Sequence, residues 1–287
     1  MPTLERILLP TDGSDGAAVA TEHALAVADR FDAELVVLNV VDERSLDLGL
    51  GEDPLRERGD AIVAAAVERA DAAGVPATGE VTVGVPDRAI REYAAARGID
   101  LVVIGTHGRT GVRRYLLGSV TERVVRLSDA PVLTVRPSDD DRYEPYERLL
   151  VPTDGSERAA AAADWARTIA TAYDATVHVL SAVDTATLGF DVRSDALVAS
   201  LEAAAETAVE ELATTLRDDG IEVRTSVEYG PPHGAILDAV GENDVDLVVM
   251  GTQGRSGIER YLLGSVTEKT VRTCPAPVLT VRTAGSE

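Results

Sequence analysis

The amino-acid sequence predicts an α/β protein that consists of two doubly wound domains, each with a five-stranded parallel sheet. Two observations carry this prediction: the chain repeats itself once, and within each repeat short β-branched apolar runs alternate with longer alanine-rich stretches. A strand that helices cover on both faces needs a continuous apolar run. Strands and helices that alternate regularly form right-handed βαβ crossovers, and these produce a parallel sheet between two helical layers.

The internal repeat is visible in three pairs of segments. They are 5–14 with 147–156, 102–122 with 248–268, and 130–136 with 276–282, of which the last pair is identical. Between the copies lies the polar, acidic and proline-bracketed stretch 137–146, which indicates an exposed linker. We therefore predict one domain over residues 1–137 and a second over residues 147–283.

Each copy contains five apolar runs, which we predict to be its strands. In the first copy they are Ile7 to Leu9, Leu35 to Val41, Val81 to Val83, Leu101 to Ile104 and Val132 to Val135. In the second they are Leu149 to Val151, Val177 to Val183, Val223 to Val227, Leu247 to Met250 and Val278 to Val281. Stretches such as 17–30 and 197–216 are rich in Ala, Glu, Leu and Arg, which favours helices.

Composition limits the classes of function. The chain has 287 residues, with 49 acidic against 27 basic side chains, a net charge of −22 and 3% aromatic residues. This disfavours nucleic acid or an anionic membrane as the main partner, because phosphate binding needs a basic surface. Arg supplies every basic residue except Lys269, and together with the acid excess this suggests a salt-adapted, halophilic composition.

A single cysteine, Cys274, rules out an internal disulfide framework and a multi-cysteine zinc site. No apolar stretch approaches the ~18 residues of a membrane span, and the first residues do not resemble a signal peptide. We therefore expect a soluble cytoplasmic protein.

A glycine-rich loop follows the fourth apolar run. Gly105-Thr106-His107-Gly108 is separated by nine residues from Gly118-Ser119, after which Val120, Val124 and Leu127 are spaced along one face of a helix. Glycines and a helix N-terminus together can hold a phosphate group. The segment 105–121 contains three arginines and no acid, a net charge of +3 that favours an anionic ligand. The alternative, that the glycines only shape a surface loop and Ser119 caps the helix, stays open.

An aspartate follows the first strand of each copy, Asp12 in one and Asp154 in the other. In a doubly wound sheet, ligands bind beyond the carboxyl ends of the strands, where the strand order reverses. If the first and fourth strands flank that point, Asp12 faces the glycine loop and can accept hydrogen bonds from ribose hydroxyls. The alternative is that Asp12 or Ser14 caps the next helix.

Other site types are disfavoured. No lysine follows the last glycine of the loop, as a Walker A motif requires, and neither a G-x-G-x-x-G nor a G-x-S-x-G motif occurs. The histidines are scattered without metal-ligand spacing, which argues against zinc or hydrolase chemistry. His107 becomes Gln253 in the second copy, so we expect hydrogen bonding or surface exposure from it rather than acid–base work.

These motifs resemble the universal stress proteins, in a tandem two-domain form that covers nearly the whole chain. The family's ATP-binding members carry G-x-x-G, nine residues, then G-S/T, a pattern present at 105–119 and again at 251–265. The resemblance implies the strand order 3-2-1-4-5, with the first and fourth strands at the switch point. It also implies that the fifth strands of two domains pair, which would make this chain a pseudo-dimer.

The resemblance also implies the residues that bind an adenine nucleotide. Asp12 and Asp154 would meet ribose, while Pro10, Thr11, Val40, Pro152, Thr153 and Ala182 would contact adenine. The phosphates would lie against Gly105, His107, Gly108, Arg109, Gly118, Ser119, Val120 and Thr121 in the first copy, and against Gly251, Gln253, Gly254, Arg255, Gly264, Ser265, Val266 and Thr267 in the second.

We therefore expect a stress-response or signalling module that binds ATP, ADP or AMP, with Mg²⁺ or Mn²⁺ held through the phosphates. Two alternatives stay open: a slow ATPase or phosphotransferase, and a dimerisation scaffold without a ligand.

Overall fold

The computed structural model describes residues 2–47, 51–106, 117–137, 143, 145–184, 195–252 and 263–282. It divides into two compact units, one formed by residues 3–143 and the other by residues 144–287 with residues 1–2. The domain limits 1–137 and 147–283 stay a prediction. No helix in the described ranges is long and apolar enough to cross a membrane.

The first unit alternates strands and helices in the predicted order. Its elements are β1 (Arg6–Pro10), α1 (Asp15–Phe31), β2 (Glu34–Asp42), α2 (Glu43–Asp47), α3 (Glu52–Ala72), β3 (Ala77–Gly84), α4 (Pro86–Arg97), β4 (Leu101–Gly105), α5 (Ser119–Leu127) and β5 (Val132–Val135).

The second unit has the same order, except that one helix instead of two is described between its second and third strands. Its elements are β6 (Arg148–Pro152), α6 (Glu157–Tyr173), β7 (Thr176–Val183), α7 (Asp195–Asp218), β8 (Val223–Tyr229), α8 (Pro232–Glu242), β9 (Leu247–Gly251), α9 (Ser265–Thr273) and β10 (Val278–Val281).

All strand pairs within each unit are parallel. The first unit has the order β3-β2-β1-β4-β5, and the second has β8-β7-β6-β9-β10. The predicted α/β class and the order 3-2-1-4-5 are thus confirmed in each unit. The pseudo-dimer through the fifth strands stays a prediction.

The central strands explain why the predicted runs are apolar without interruption. Ile7, Leu8 and Leu9 of β1 are fully buried, as are Val102 and Val103 of β4. Helices cover both faces of such strands, so consecutive side chains all enter the core. The side chains available to bind a ligand therefore lie at the polar ends of these strands.

Candidate functional site

A cavity of about 440 Å³ lies where the strand order of the first unit reverses. β1 and β4 pair in parallel, so their carboxyl ends meet at the same edge of the sheet. Ligands of doubly wound sheets bind at such positions. The lining includes every predicted site residue of the first half that the structure describes: Pro10, Thr11, Asp12, Val40, Gly105, Gly118, Ser119, Val120 and Thr121.

The turn after β1 is fixed by short side-chain hydrogen bonds. The Gly13 N–H donates to Thr11 Oγ1 (3.3 Å), and the Ser14 N–H donates to Asp12 Oδ1 (3.0 Å). Gly13 has φ +74°, a left-handed conformation that favours glycine. Ser14 is the N-cap of α1, because its Oγ accepts from the Ala17 N–H (3.3 Å). Of the two capping candidates, Ser14 therefore caps the helix, while Asp12 holds the turn and lines the cavity.

The start of α5 forms the opposite wall. Its N-cap is Gly118 in an extended conformation, without a side chain that accepts from the first turn. Ser119 is the first helical residue, so the alternative in which Ser119 caps α5 is wrong. The Gly118 N–H donates to the Thr106 carbonyl (2.8 Å), and Thr121 Oγ1 donates to the Gly105 carbonyl (2.8 Å). These bonds attach the helix start to the end of β4, beside the cavity.

Gly105 has a packing reason to be glycine. A Cβ built on it would lie 2.5 Å from the Gly16 carbonyl oxygen and 2.7 Å from the Gly16 carbonyl carbon. Both atoms belong to the backbone of the first turn of α1, which does not yield as a flexible side chain does. The glycine at the end of β4 is therefore required for close contact with α1, whether or not a ligand binds.

Sequence reasoning missed the polar residue inside β2. Asn39 is 5% exposed, and its Nδ2 donates to the Thr11 carbonyl (2.7 Å), which ties β2 to the turn after β1. A buried amide in an otherwise apolar strand was the available signal, because such groups are placed for their hydrogen bonds. Gly59 lets α3 approach this side chain, since a Cβ there would lie 2.7 Å from Asn39 Oδ1.

α3 also contributes to the cavity, and no sequence motif marked it. Leu55, Arg58 and Ile62 line the cavity on the side of β2. Asp42 lies at the end of β2, where the Arg44 guanidinium, 2.6 Å away, lowers the pKa of the Asp42 carboxyl. The cavity thus has an apolar part formed by Val40, Leu55 and Ile62, beside the charged groups of Asp42 and Arg58 and the polar groups at the ends of β1 and β4.

The second unit repeats the same backbone arrangement. The Ser156 N–H donates to Asp154 Oδ1 (3.1 Å), and the Gly155 N–H donates to Thr153 Oγ1 (3.1 Å). Thr267 Oγ1 donates to the Gly251 carbonyl (2.8 Å). Two further predicted residues, Pro152 and Ala182, lie at the carboxyl ends of β6 and β7, and Ser265 and Val266 begin α9 after its N-cap Gly264.

The centre of each glycine loop lies outside the described residues. This applies to the predicted contacts His107, Gly108, Arg109, Gln253, Gly254 and Arg255. Within the described ranges, no group of three or more His, Cys, Asp or Glu side chains is placed to hold a metal ion.

A family model for the universal stress protein family matches residues 3–136 and again residues 145–282. Universal stress protein MJ0531 from Methanocaldococcus jannaschii is 39% identical over 140 residues, which covers 46% of this chain and 82% of that protein. Universal stress protein MJ0577 from the same organism is 31% identical over 153 residues and is covered to 94%. The crystal structure of a universal stress protein from Archaeoglobus fulgidus has a TM-score of 0.74 at 24% identity, covering 96% of this chain and 98% of that one.

Proposed function

The chain belongs to the universal stress protein family in tandem form, and from that premise we propose that each half binds an adenine nucleotide. The observation that carries the proposal is the cavity at the β1–β4 switch point, which is lined by the described residues of the predicted site. Its volume of about 440 Å³ lies within the usual range of small-molecule sites, ~300 to 1,000 Å³.

The chemistry of the lining suits the three parts of a nucleotide. The apolar side formed by Val40, Leu55 and Ile62 suits the adenine ring, and the Asp12 carboxylate can accept hydrogen bonds from ribose hydroxyls. The first turn of α5 presents backbone N–H groups and a partial positive charge, and no side chain caps it, which suits phosphate. Mg²⁺ or Mn²⁺, when bound, would neutralise phosphate charge and would be held mainly by the phosphate oxygens.

We propose a binding module for stress response or signalling, rather than an enzyme, as the primary role. The Asp12 carboxylate is already engaged by the Ser14 N–H and is assigned to ribose, so it is poorly placed to serve as a general base. The second candidate function is a slow ATPase or phosphotransferase. The proposal also includes a cytoplasmic location. Phosphate release by the purified protein, compared with the Asp12→Ala/Asp154→Ala double variant, separates binding from hydrolysis.

Calorimetry with ATP, ADP and AMP in the presence of Mg²⁺ tests the proposal. Asp12→Ala should weaken binding at the first site and Asp154→Ala at the second, because each removes the carboxylate assigned to ribose. Asp29→Ala is the matched control, since it removes an exposed carboxylate from α1 at the end remote from the cavity. Absence of binding at every salt concentration tested, or equal binding by Asp12→Ala and Asp29→Ala, would overturn the proposal.

The two sites should differ in affinity. The loop segment 105–121 carries a net charge of +3, whereas 251–267 carries Arg255 and Arg260 against Glu259, a net charge of +1. Ala182 replaces Val40 and leaves less apolar surface for adenine. We therefore expect tighter triphosphate binding in the first half, so that Gly108→Val leaves the weaker site and Gly254→Val leaves the tighter one. Equal or reversed affinities would contradict this order.

The pseudo-dimer is also part of the proposal. It is supported by the identity of segments 130–136 and 276–282, each of which contains the fifth strand of its unit. The fifth strand is the edge strand of its unit, and an edge strand exposes backbone donors and acceptors that another strand can pair with. Spin labels, one in each segment, should report a short inter-label distance by electron resonance. A long distance would contradict the pseudo-dimer and leave the nucleotide proposal unaffected.

A further inference from the structure

A second cavity, of about 460 Å³, lies in the second unit beside β8, at the end of the strand order opposite to β10. We call it the β8 cleft. β8, the turn that follows it and α8 form its walls, and His178 of β7 also lines it. None of its lining residues belongs to β6, β9 or α9, so it is separate from the second unit's predicted nucleotide site.

The first unit shows what occupies the equivalent position there. Leu38 and Leu180 each pair with the proline that ends the first strand of their own unit, and they are therefore equivalent. Glu80 pairs with Leu38 and Ser226 pairs with Leu180, so Glu80 and Ser226 are equivalent as well.

The helices that face these residues correspond in the same way. α4 and α8 each begin at a proline. Each is followed by an aspartate, Asp100 or Asp246, that accepts from two backbone N–H groups at the start of the unit's first strand. Counted from this proline and this aspartate, Ala239 is equivalent to Tyr93 and Asn243 is equivalent to Arg97.

In the first unit these positions form a surface cluster of three long side chains. Glu80 Oε2 accepts from Tyr93 Oη (3.0 Å) and from an Arg97 guanidinium N–H (3.2 Å). The Arg97 guanidinium carbon lies 5.1 Å from the centroid of the Tyr93 ring, within cation–π range. A phenol ring and a half-exposed guanidinium cation therefore cover the surface between β3 and α4.

In the second unit all three members of the cluster are smaller. Ser226, Ala239 and Asn243 line the β8 cleft where Glu80, Tyr93 and Arg97 fill the first unit. His178 Nε2 and Ser226 Oγ lie 2.9 Å apart and share a hydrogen bond. The replacements thus remove a ring and a cation and leave a polar cleft with room for a small molecule.

The charges of the cleft favour a cation. Glu228, Asp238 and Glu242 line it, against the guanidinium of Arg224. Burial lowers the pKa of His178, so its imidazole is neutral at neutral pH and adds no positive charge.

We propose that the β8 cleft binds a small organic cation, an amine or guanidine attached to an apolar ring or chain. The ligand takes the space that the Tyr93 and Arg97 side chains fill in the first unit. Its cationic group lies among the carboxylates of the rim, and its apolar part lies over Ala239. The site is independent of the proposed nucleotide sites.

Binding to the full chain can be measured with three phenols that share one ring and differ in charge. Tyramine carries an ammonium group, tyrosol is neutral, and 4-hydroxyphenylacetate is anionic. Agmatine supplies a guanidinium on an aliphatic chain. Calorimetry or ligand-observed NMR should show saturable binding of tyramine and agmatine, weaker binding of tyrosol and no binding of the anion.

A triple variant rebuilds the first unit's cluster inside the cleft. Ser226→Glu/Ala239→Tyr/Asn243→Arg should weaken tyramine binding at least ~10-fold, a loss of ~1.4 kcal/mol, because its own side chains fill the space. Its ATP titration should match that of the unmodified chain. Trp165, the chain's only tryptophan and a buried residue of α6, reports by fluorescence whether the second unit of this variant folds.

A second variant removes charge without adding volume. Asp238→Asn/Glu242→Gln should weaken tyramine several-fold and leave tyrosol unchanged, and it keeps the inference testable if the triple variant does not fold. The inference is overturned if neither cation binds saturably, if the three phenols bind equally, or if the folded triple variant binds tyramine as tightly as the unmodified chain.

Discussion

The packing of Gly105 against α1 leads to a prediction about stability in the absence of any ligand. In Gly105→Ala the new Cβ would lie 2.5 Å from the Gly16 carbonyl oxygen, whereas ordinary contacts begin near 3.4 Å. The end of β4 and the first turn of α1 must therefore separate by about 1 Å. Both are held in place, since Gly105 accepts from Thr121 Oγ1 and the Ser14 carbonyl accepts from the Ala18 N–H.

Overpacking of this kind costs ~1 to 3 kcal/mol. If the first unit opens as a whole, amide exchange of α1 and β4 should be accelerated ~5-fold to ~150-fold, since each 1.4 kcal/mol corresponds to a factor of ~10. Hydrogen exchange with mass spectrometry on the full chain measures this loss of stability separately for each unit. The fluorescence transition of Trp165, in the second unit, should keep its midpoint.

Gly84→Ala is the matched control, because Gly84 also ends a strand of the first unit. A Cβ there would meet only the Ala89 Cβ, at 3.7 Å, which is an ordinary contact. Its effect should stay within ~0.5 kcal/mol. Equal exchange rates in the two variants would refute the packing argument and leave the glycine of β4 explained by a ligand alone.

Three further predictions follow. Asn39→Ala should destabilise the first unit by ~1 to 3 kcal/mol, because the buried Thr11 carbonyl loses its donor. Chemical denaturation monitored by hydrogen exchange measures this loss of stability. Burial lowers the pKa of His23 to about 4. Between these pH values the unfolded chain binds a proton that the folded unit does not, so the free energy of unfolding of the first unit should fall as the pH drops from ~6.5 to ~4. Denaturation profiles of His23→Gln should lack up to ~3 kcal/mol of that pH dependence. The melting temperature should rise between ~0.1 and ~1 M salt, since screening reduces the self-repulsion of a chain with net charge −22; a flat response would contradict this.

The sequence predicts the strands well, because a strand buried on both faces requires an uninterrupted apolar run. Ile7 to Leu9 and Leu101 to Ile104 are such runs, and both lie in central strands. The strand order and the switch point are implied by the resemblance to the universal stress proteins, and this order is why Asp12, after β1, and Gly118, before α5, are assigned to one site.

The remaining features depend on contacts between distant segments. Gly105 was assigned to a phosphate loop, but its nearest neighbours belong to the backbone of α1, and no local pattern reveals such an approach. α3 lines the cavity with Leu55 and Ile62, whose spacing alone does not show which strand they face. The β8 cleft arises from replacements on two elements, β8 and α8, and becomes visible only when their register is known.

The two halves share the hydrogen bonds of the proposed nucleotide site but differ in the cluster around Glu80. This difference separates the two binding proposals. The turn bonds of Asp12 and Asp154 agree within 0.1 Å, and the helix bonds of Thr121 and Thr267 are both 2.8 Å. The cluster around Glu80 has no such counterpart, because all three of its members differ in the second unit. A nucleotide variant such as Asp154→Ala should therefore leave tyramine binding unchanged, and the triple variant in the β8 cleft should leave both nucleotide affinities unchanged. If either variant altered the other ligand's affinity, the two sites would have to be coupled through elements that they share or that touch both, such as β7, or α8, which packs against α9.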